Sequence, residues 1–330
     1  AKNGVAAHGI KPGGAWVETL SLSLQAVLPL MLMLAAGFFL RRRGVLGAGF
    51  AEATTPAVYT VLFPAYLYMQ MLSVDLHDPV QPVFLLYLAL AALLPILLLM
   101  ALVPRRISRP ARCGAFIQGA FRTNPVLMGA AVMQSLFPVS ALSTFFVSIL
   151  VTVPLYNLMT GLVFTQHAGD GRKPGLLRLL RGAFINPLIA AIALGVLFNY
   201  FHIQLPGVLM TVLRAFSASA APLALLSMGS QTSLSGFRED GRHLAACVGI
   251  KMLLIPVVGV APMFFLGFTD IEILTAFFTL GTPGTITGYS VSRRMGSDHR
   301  FTGEAISLSS LVYCVTSAIA IALFRALGVL

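Results

Sequence analysis

The chain has 330 residues, of which 57% are hydrophobic and only 10% charged, with a formal net charge of +11. A soluble globular domain carries about 25% charged residues, so this composition excludes a water-facing fold and makes lipid the solvent. The positive charge does not indicate nucleic acid, because the basic residues fall in short loops between apolar runs, as the positive-inside rule requires.

In chain order, residues 1–17 are Gly-rich and read as a flexible tail or a vector-derived remnant outside the fold. Ten membrane spans are then predicted, at 20–40, 50–72, 83–103, 111–135, 138–164, 184–202, 206–232, 241–266, 271–292 and 301–327. The first ("LSLQAVLPLMLMLAAGFFL") and third ("VFLLYLALAALLPILLLMALV") most plainly pass the roughly 18-residue threshold for a spanning helix. Cys113, Cys247 and Cys314 lie inside apolar segments without metal-ligand spacing, so they read as packing residues and no metal or cofactor is expected.

Loop charges orient the spans. Arg41–Arg43, the Arg105–Arg112 cluster, Arg172, Lys173, Arg178 and Arg181, Arg238 and Arg242, and Arg293, Arg294 and Arg300 all fall in loops after odd-numbered spans. These are sixteen of the 22 basic residues; the even loops carry none, and the first of them holds Asp75 and Asp78. The odd loops are therefore expected in the cytoplasm and both termini outside it.

Prolines reveal an internal repeat. Pro29 and Pro187, Pro64 and Pro222, Pro104 and Pro262, and Pro125 and Pro283 are each 158 residues apart, and Gly37 and Gly195 obey the same shift. The expected fold is thus all-α, with a first five-helix repeat over 18–165, a cytoplasmic connecting loop over 166–183, and a second repeat over 184–330. Five is odd, so the second repeat is inverted. Inverted repeats are typical of secondary transporters, whose substrates bind near the midplane where broken helices meet.

Spans 4 and 9 are the expected broken helices, because Pro125 and Pro283 lie near mid-depth in each. Proline removes an amide donor, and the freed carbonyls survive in a membrane only where buried or lining a cavity. Asn124 and Thr282 precede these prolines, Thr123, Thr285 and Thr287 add hydroxyls, and Gly281 and Gly284 permit close backbone approach. The half-helix N-termini after the breaks attract anions. Arg122 is placed to favour an anion further, Lys251 is a second intramembrane cation, and Arg214 lies shallower. Thr152, Asn157, Ser309, Ser310 and Tyr313 on the flanking spans 5 and 10 form a second tier, each also able to act simply as helix–helix glue.

At these motifs the chain resembles the auxin efflux carrier family, in its bacterial branch and within the bile-acid and auxin carrier superfamily. The matching pieces are "AVYTVLFPAYLY", "FRTNPVLMGAAVMQSLF", "NPLIAAIALGVLF", "APLALLSMGSQTS" and "GTPGTITGYSVSRRMG", over roughly residues 20–328. The resemblance implies a homodimer with a scaffold of helices 1, 2, 6 and 7. It implies a transport domain of helices 3–5 and 8–10 that moves as an elevator in the bacterial inner membrane. It places Asn124, Pro125, Thr282 and Pro283 at the crossover site, and its cargo includes malonate, malate and auxin-like acids. Thr282 departs mildly from the family, which often has Asn there, and the short 165–183 loop lacks the long insertion of plant members.

The leading expectation is a carrier of small organic anions by proton-coupled symport or facilitated exchange, with the coupling ion, H+ or Na+, left open. The alternative is a sodium-coupled symporter of bulkier amphipathic anions, which the lack of a deep acid disfavours, since sodium prefers oxygen ligands. No HExxH, GxSxG or Ser-His-Asp pattern suggests an enzyme.

Overall fold

The computed structural model describes residues 14–76, 80–167, 181, 185–231 and 240–330. Most of the tail and of the connecting loop, with Arg172, Lys173 and Arg178, lies outside the described residues, as do Asp78 and Arg238.

Among the described residues all regular structure is helical. Five stretches are long and apolar enough to cross a membrane: Pro82–Arg105, Val139–His167, Gly207–Ser230, Gly241–Leu266 and His299–Ala326. The protein is therefore a multi-pass membrane protein, and helices are the form in which such runs satisfy every backbone group internally. The elements are α1 (Gly14–Arg42), α2 (Phe50–Ala57), α3 (Phe63–Ser73), α4 (Pro82–Leu102), α5 (Pro110–Phe121), α6 (Ala130–Leu136) and α7 (Ser143–His167). They continue with α8 (Pro187–Tyr200), α9 (Gly207–Ser230), α10 (Gly241–Gly249), α11 (Ile255–Val260), α12 (Met263–Leu266), α13 (Asp270–Leu280), α14 (Ile286–Arg294) and α15 (His299–Ala326). Wider π turns join α2 to α3 (Val58–Leu62), lead into α6 (Pro125–Gly129) and join α10 to α11 (Ile250–Leu254).

Local chemistry sets the helix starts. Pro82, Pro110, Pro125 and Pro187 stand in the first turn, where no amide donor is needed. The Asn186 side chain accepts from Leu188 N at 2.9 Å, and Asp298 accepts from Phe301 N at 3.0 Å. Glu272 is buried, yet its carboxylate takes both the amide and the hydroxyl of Thr269 at 2.8 Å. This acid therefore closes the start of α13.

Two packing groups emerge. In the first, α1 lies along α9 and α3 along α8 at distances only glycine permits. A Cβ at Gly37 would fall 2.2 Å from the Leu226 carbonyl oxygen, and one at Gly229 would fall 2.0 Å from that of Leu34. A Cβ at Gly195 would meet the Tyr68 carbonyl oxygen at 3.0 Å and Met71 at 2.6 Å. Gly37 and Gly195, and likewise Tyr68 and Leu226, are separated by the 158-residue offset of the prolines, so the two contacts exchange roles between the halves.

The second group gathers α4, α5, α7, α10, α11, α13 and α15. Arg112 fastens three of these helices. It pairs with Asp240 before α10, pairs with Asp298 before α15 at 3.2 Å, and lies 4.6 Å over the Phe301 ring. Ser297 Oγ adds a bond to the Ala111 carbonyl at 2.8 Å. Tyr87 of α4 donates to the Gly259 carbonyl of α11 at 2.7 Å. Between the groups, α1 faces α15 across an apolar cavity of 170 Å³, and Glu52 of α2 pairs with Arg293 of α14.

Candidate functional site

Both expected breaks are present. α5 stops at Phe121, and Arg122, Thr123 and Asn124 are non-helical. α13 stops at Leu280, and residues 281–285 are non-helical before α14. One detail differs from the sequence expectation: the first break lies ahead of Pro125, which opens the next helical turn. The residue before a proline is pushed out of the α region, and Asn124 accordingly sits at φ −124°, ψ 67°.

The two breaks touch. Asn124 N donates to Thr282 Oγ1 at 3.0 Å, joining two positions 158 residues apart. Thr282 therefore terminates an amide that the break frees. Gly284 lies close enough to Ile306 of α15 that a Cβ there would approach its Cγ1 to 2.8 Å, and its amide reaches Ser309 Oγ at 3.4 Å. The Asn124 side chain is buried, and its amide group makes no hydrogen bond among the described residues. Thr285 caps α14 by accepting from Gly288 N at 3.2 Å and shares a hydroxyl bond of 2.8 Å with Thr287. Pro125, Pro283, Thr123 and Gly281 complete the crossing, and each is buried.

Arg122 gives the crossing its charge. It is 8% exposed, and its Nε reaches Thr285 Oγ1 at 3.4 Å, the long end of the hydrogen-bond range. Its Nη1 is buried with no partner, and no carboxylate pairs with it among the described residues. The phenols of Tyr59 and Tyr156 lie beside it. A buried guanidinium without a counter-ion is a costly arrangement that an anionic ligand would relieve.

Lys251 has a different place. Its ammonium donates to the Gly119 carbonyl at 3.2 Å and to the Arg122 carbonyl. These are carbonyls that the end of α5 leaves without helical partners, and a cation there complements the helix dipole. The second-tier residues divide. Ser309 lies at the crossing, and Tyr313 donates to the Met128 carbonyl at 3.1 Å, tying α15 to the turn after Asn124. Among the described residues Thr152 bonds only to the Ser148 carbonyl of its own helix at 2.9 Å, and Ser310 to that of Ile306 at 2.7 Å. Asn157 is half-buried and makes no hydrogen bond among the described residues. Arg214 is exposed.

Sequence reasoning missed Tyr59, Tyr156 and Gln118. Gln118 stands one turn before Arg122, and a Cβ at Gly288 would fall 2.3 Å from its Nε2. That i, i+4 spacing from Arg122 is a signal the sequence carries. A cavity of 450 Å³ opens nearby, lined by Arg41, Glu52, Tyr289, Arg300, Glu304 and Ile306 among others. Ile306 is thus shared between this cavity and Gly284 of the crossing.

Two touching helix breaks around a buried cation with no counter-ion among the described residues, within a multi-pass membrane protein, are the features of a membrane transporter. Comparison with known proteins agrees. The family described as "Membrane transport protein" matches residues 175–321. Over that stretch the chain is similar to this family, in line with its resemblance to the auxin efflux carriers. It is also 23% identical over 308 residues to an uncharacterized transporter of Methanothermobacter thermautotrophicus, covering 89% of this chain and 96% of that protein.

Proposed function

We propose that this transporter carries small organic anions, mono- or dicarboxylates such as malonate or malate or auxin-like acids, at the crossing of the two breaks. The observation that carries this reading is Arg122, a buried guanidinium with an unpartnered N–H beside two helix breaks. A carboxylate there would accept from Arg122. Asn124 and the hydroxyls of Thr123 and Thr285 would orient it, and the backbone at Pro125, Thr282, Pro283 and Gly284 would shape its cradle.

In this reading the chain makes ten spans in two inverted five-helix repeats, with the arginine-rich loops in the cytoplasm of a bacterium and both termini outside the inner membrane. The exchanged Gly37–Leu226 and Gly195–Tyr68 contacts support the repeat. Transport proceeds as an elevator. The group fastened by Arg112 moves as one body against the glycine-packed group of α1, α3, α8 and α9, which serves as scaffold and dimerises. The separate stitching within each group supports that division.

The test is uptake of labelled malonate, malate, succinate and indole-acetate by proteoliposomes, with and without proton or sodium gradients. Saturable carboxylate uptake that Asn124→Ala abolishes is the expected result. Carboxylate uptake that is absent from the folded protein, or indifferent to Asn124, overturns the reading.

A further inference from the structure

A second cavity, of 570 Å³, lies away from the crossing between α4, α5 and the α10–α11 segment. Its walls are apolar, among them Pro95, Leu98, Leu102, Phe116, Ile250 and Leu254. Leu98, Leu102, Leu254 and Val258 on its rim are each more than half exposed. The first and last walls belong to stretches long and apolar enough to cross a membrane, so in the bilayer this groove opens to lipid.

Among the described residues, only one end of the groove carries charge or a titratable group, where Arg106 and His243 line it. Arg105, Arg109 and Arg242 are exposed next to them in the chain. Asp240, the nearby acid among the described residues, is already taken by Arg112. From Pro95 to Arg106 the chain rises about 16 Å at helical pitch. Half of a bilayer's hydrocarbon core is about 15 Å. The groove therefore runs from mid-membrane to one interface, the span of one acyl chain in one leaflet, and ends in a basic cluster.

The geometry points to a binding site for an anionic glycerophospholipid, with an acyl chain in the groove and the phosphate against Arg106 and His243. Charge complementarity selects the anionic headgroup, because a zwitterionic lipid brings its own cation to a surface that already has several. The bound chain would touch Ile250 and Leu254. These residues bound the π turn whose Lys251 holds the Gly119 and Arg122 carbonyls. The lipid thus buttresses the helix end that presents Arg122.

The experiment is native mass spectrometry of the full chain, released from detergent after equilibration with phosphatidylglycerol or phosphatidylcholine. The unmodified chain is expected to retain phosphatidylglycerol about tenfold better than phosphatidylcholine. Arg106→Gln combined with Arg242→Gln should remove that preference while leaving a monodisperse protein. Ala246→Phe, which fills the groove, should lose the retained lipid of either kind. Equal retention of the two lipids by the unmodified chain, or a preference that survives the arginine substitutions, overturns the proposal. These substitutions lie outside the crossing, so the result is independent of whether carboxylates are transported. If Ala246→Phe does not fold, the arginine pair alone decides.

Discussion

Replacing Arg122 by glutamine separates a binding residue from a structural one. In the folded protein the guanidinium receives little: one side-chain bond of 3.4 Å to Thr285, an unpartnered Nη1 and no carboxylate among the described residues. A hydrogen bond that long contributes at most about 1 kcal/mol, and removing a buried charge without a counter-ion offsets the loss. Arg122→Gln is therefore expected to melt at the same temperature as the unmodified protein or above it. For a bound carboxylate the balance is opposite. Hydrogen bonds to charged groups contribute about 1.5–3 kcal/mol. At about 1.4 kcal/mol per tenfold, KM for carboxylate uptake should rise about 12- to 140-fold. Arg122→Lys keeps the charge but loses the planar fork, and should fall between the two. The assay pairs proteoliposome uptake with thermal melting in detergent. A variant that melts early yet keeps its KM would refute the reasoning and make Arg122 a structural residue.

Further predictions rest on other contacts. Lys251→Met leaves the Gly119 and Arg122 carbonyls without their donor and should destabilise the fold by about 2 kcal/mol, read as an earlier melting transition. Thr282→Val, nearly isosteric, strips the acceptor from the Asn124 amide; it should cost about 1–3 kcal/mol of stability, and Thr282→Ser should restore most of it. Gly37→Ala places a methyl 2.2 Å from a backbone oxygen and should cost about 1–3 kcal/mol in melting experiments. Gly207→Ala, which meets nothing within 4 Å, should be neutral or better in the same assay.

The parts of this architecture legible in the sequence are those set by one-dimensional chemistry. Apolar runs mark the long helices, and prolines mark the breaks. A shared 158-residue spacing foretold that Asn124 and Thr282 would be counterparts, and they are hydrogen-bonded. What stayed hidden depends on rotation and on the third dimension. On α7 the polar Asn157 drew attention, yet its neighbour Tyr156 is the residue beside Arg122, because polarity alone does not say which face a buried helix turns inward. Thr152 satisfies its hydroxyl on its own helix, a local bond that sequence cannot distinguish from a ligand contact. In the sequence Lys251 reads only as a second intramembrane cation. Its role at the end of α5 emerges only once α10, α11 and the π turn between them are seen packed against that end.

The central claim is that an organic anion sits against Arg122 at the crossing. The measurement that meets it most directly is a cryo-electron microscopy structure of the protein with saturating malonate. The account predicts density for the anion within hydrogen-bonding reach of Arg122 and Asn124, with Thr285 beside it. A crossing that stays empty while malonate occupies the cavity by Arg41 and Arg300 would contradict it.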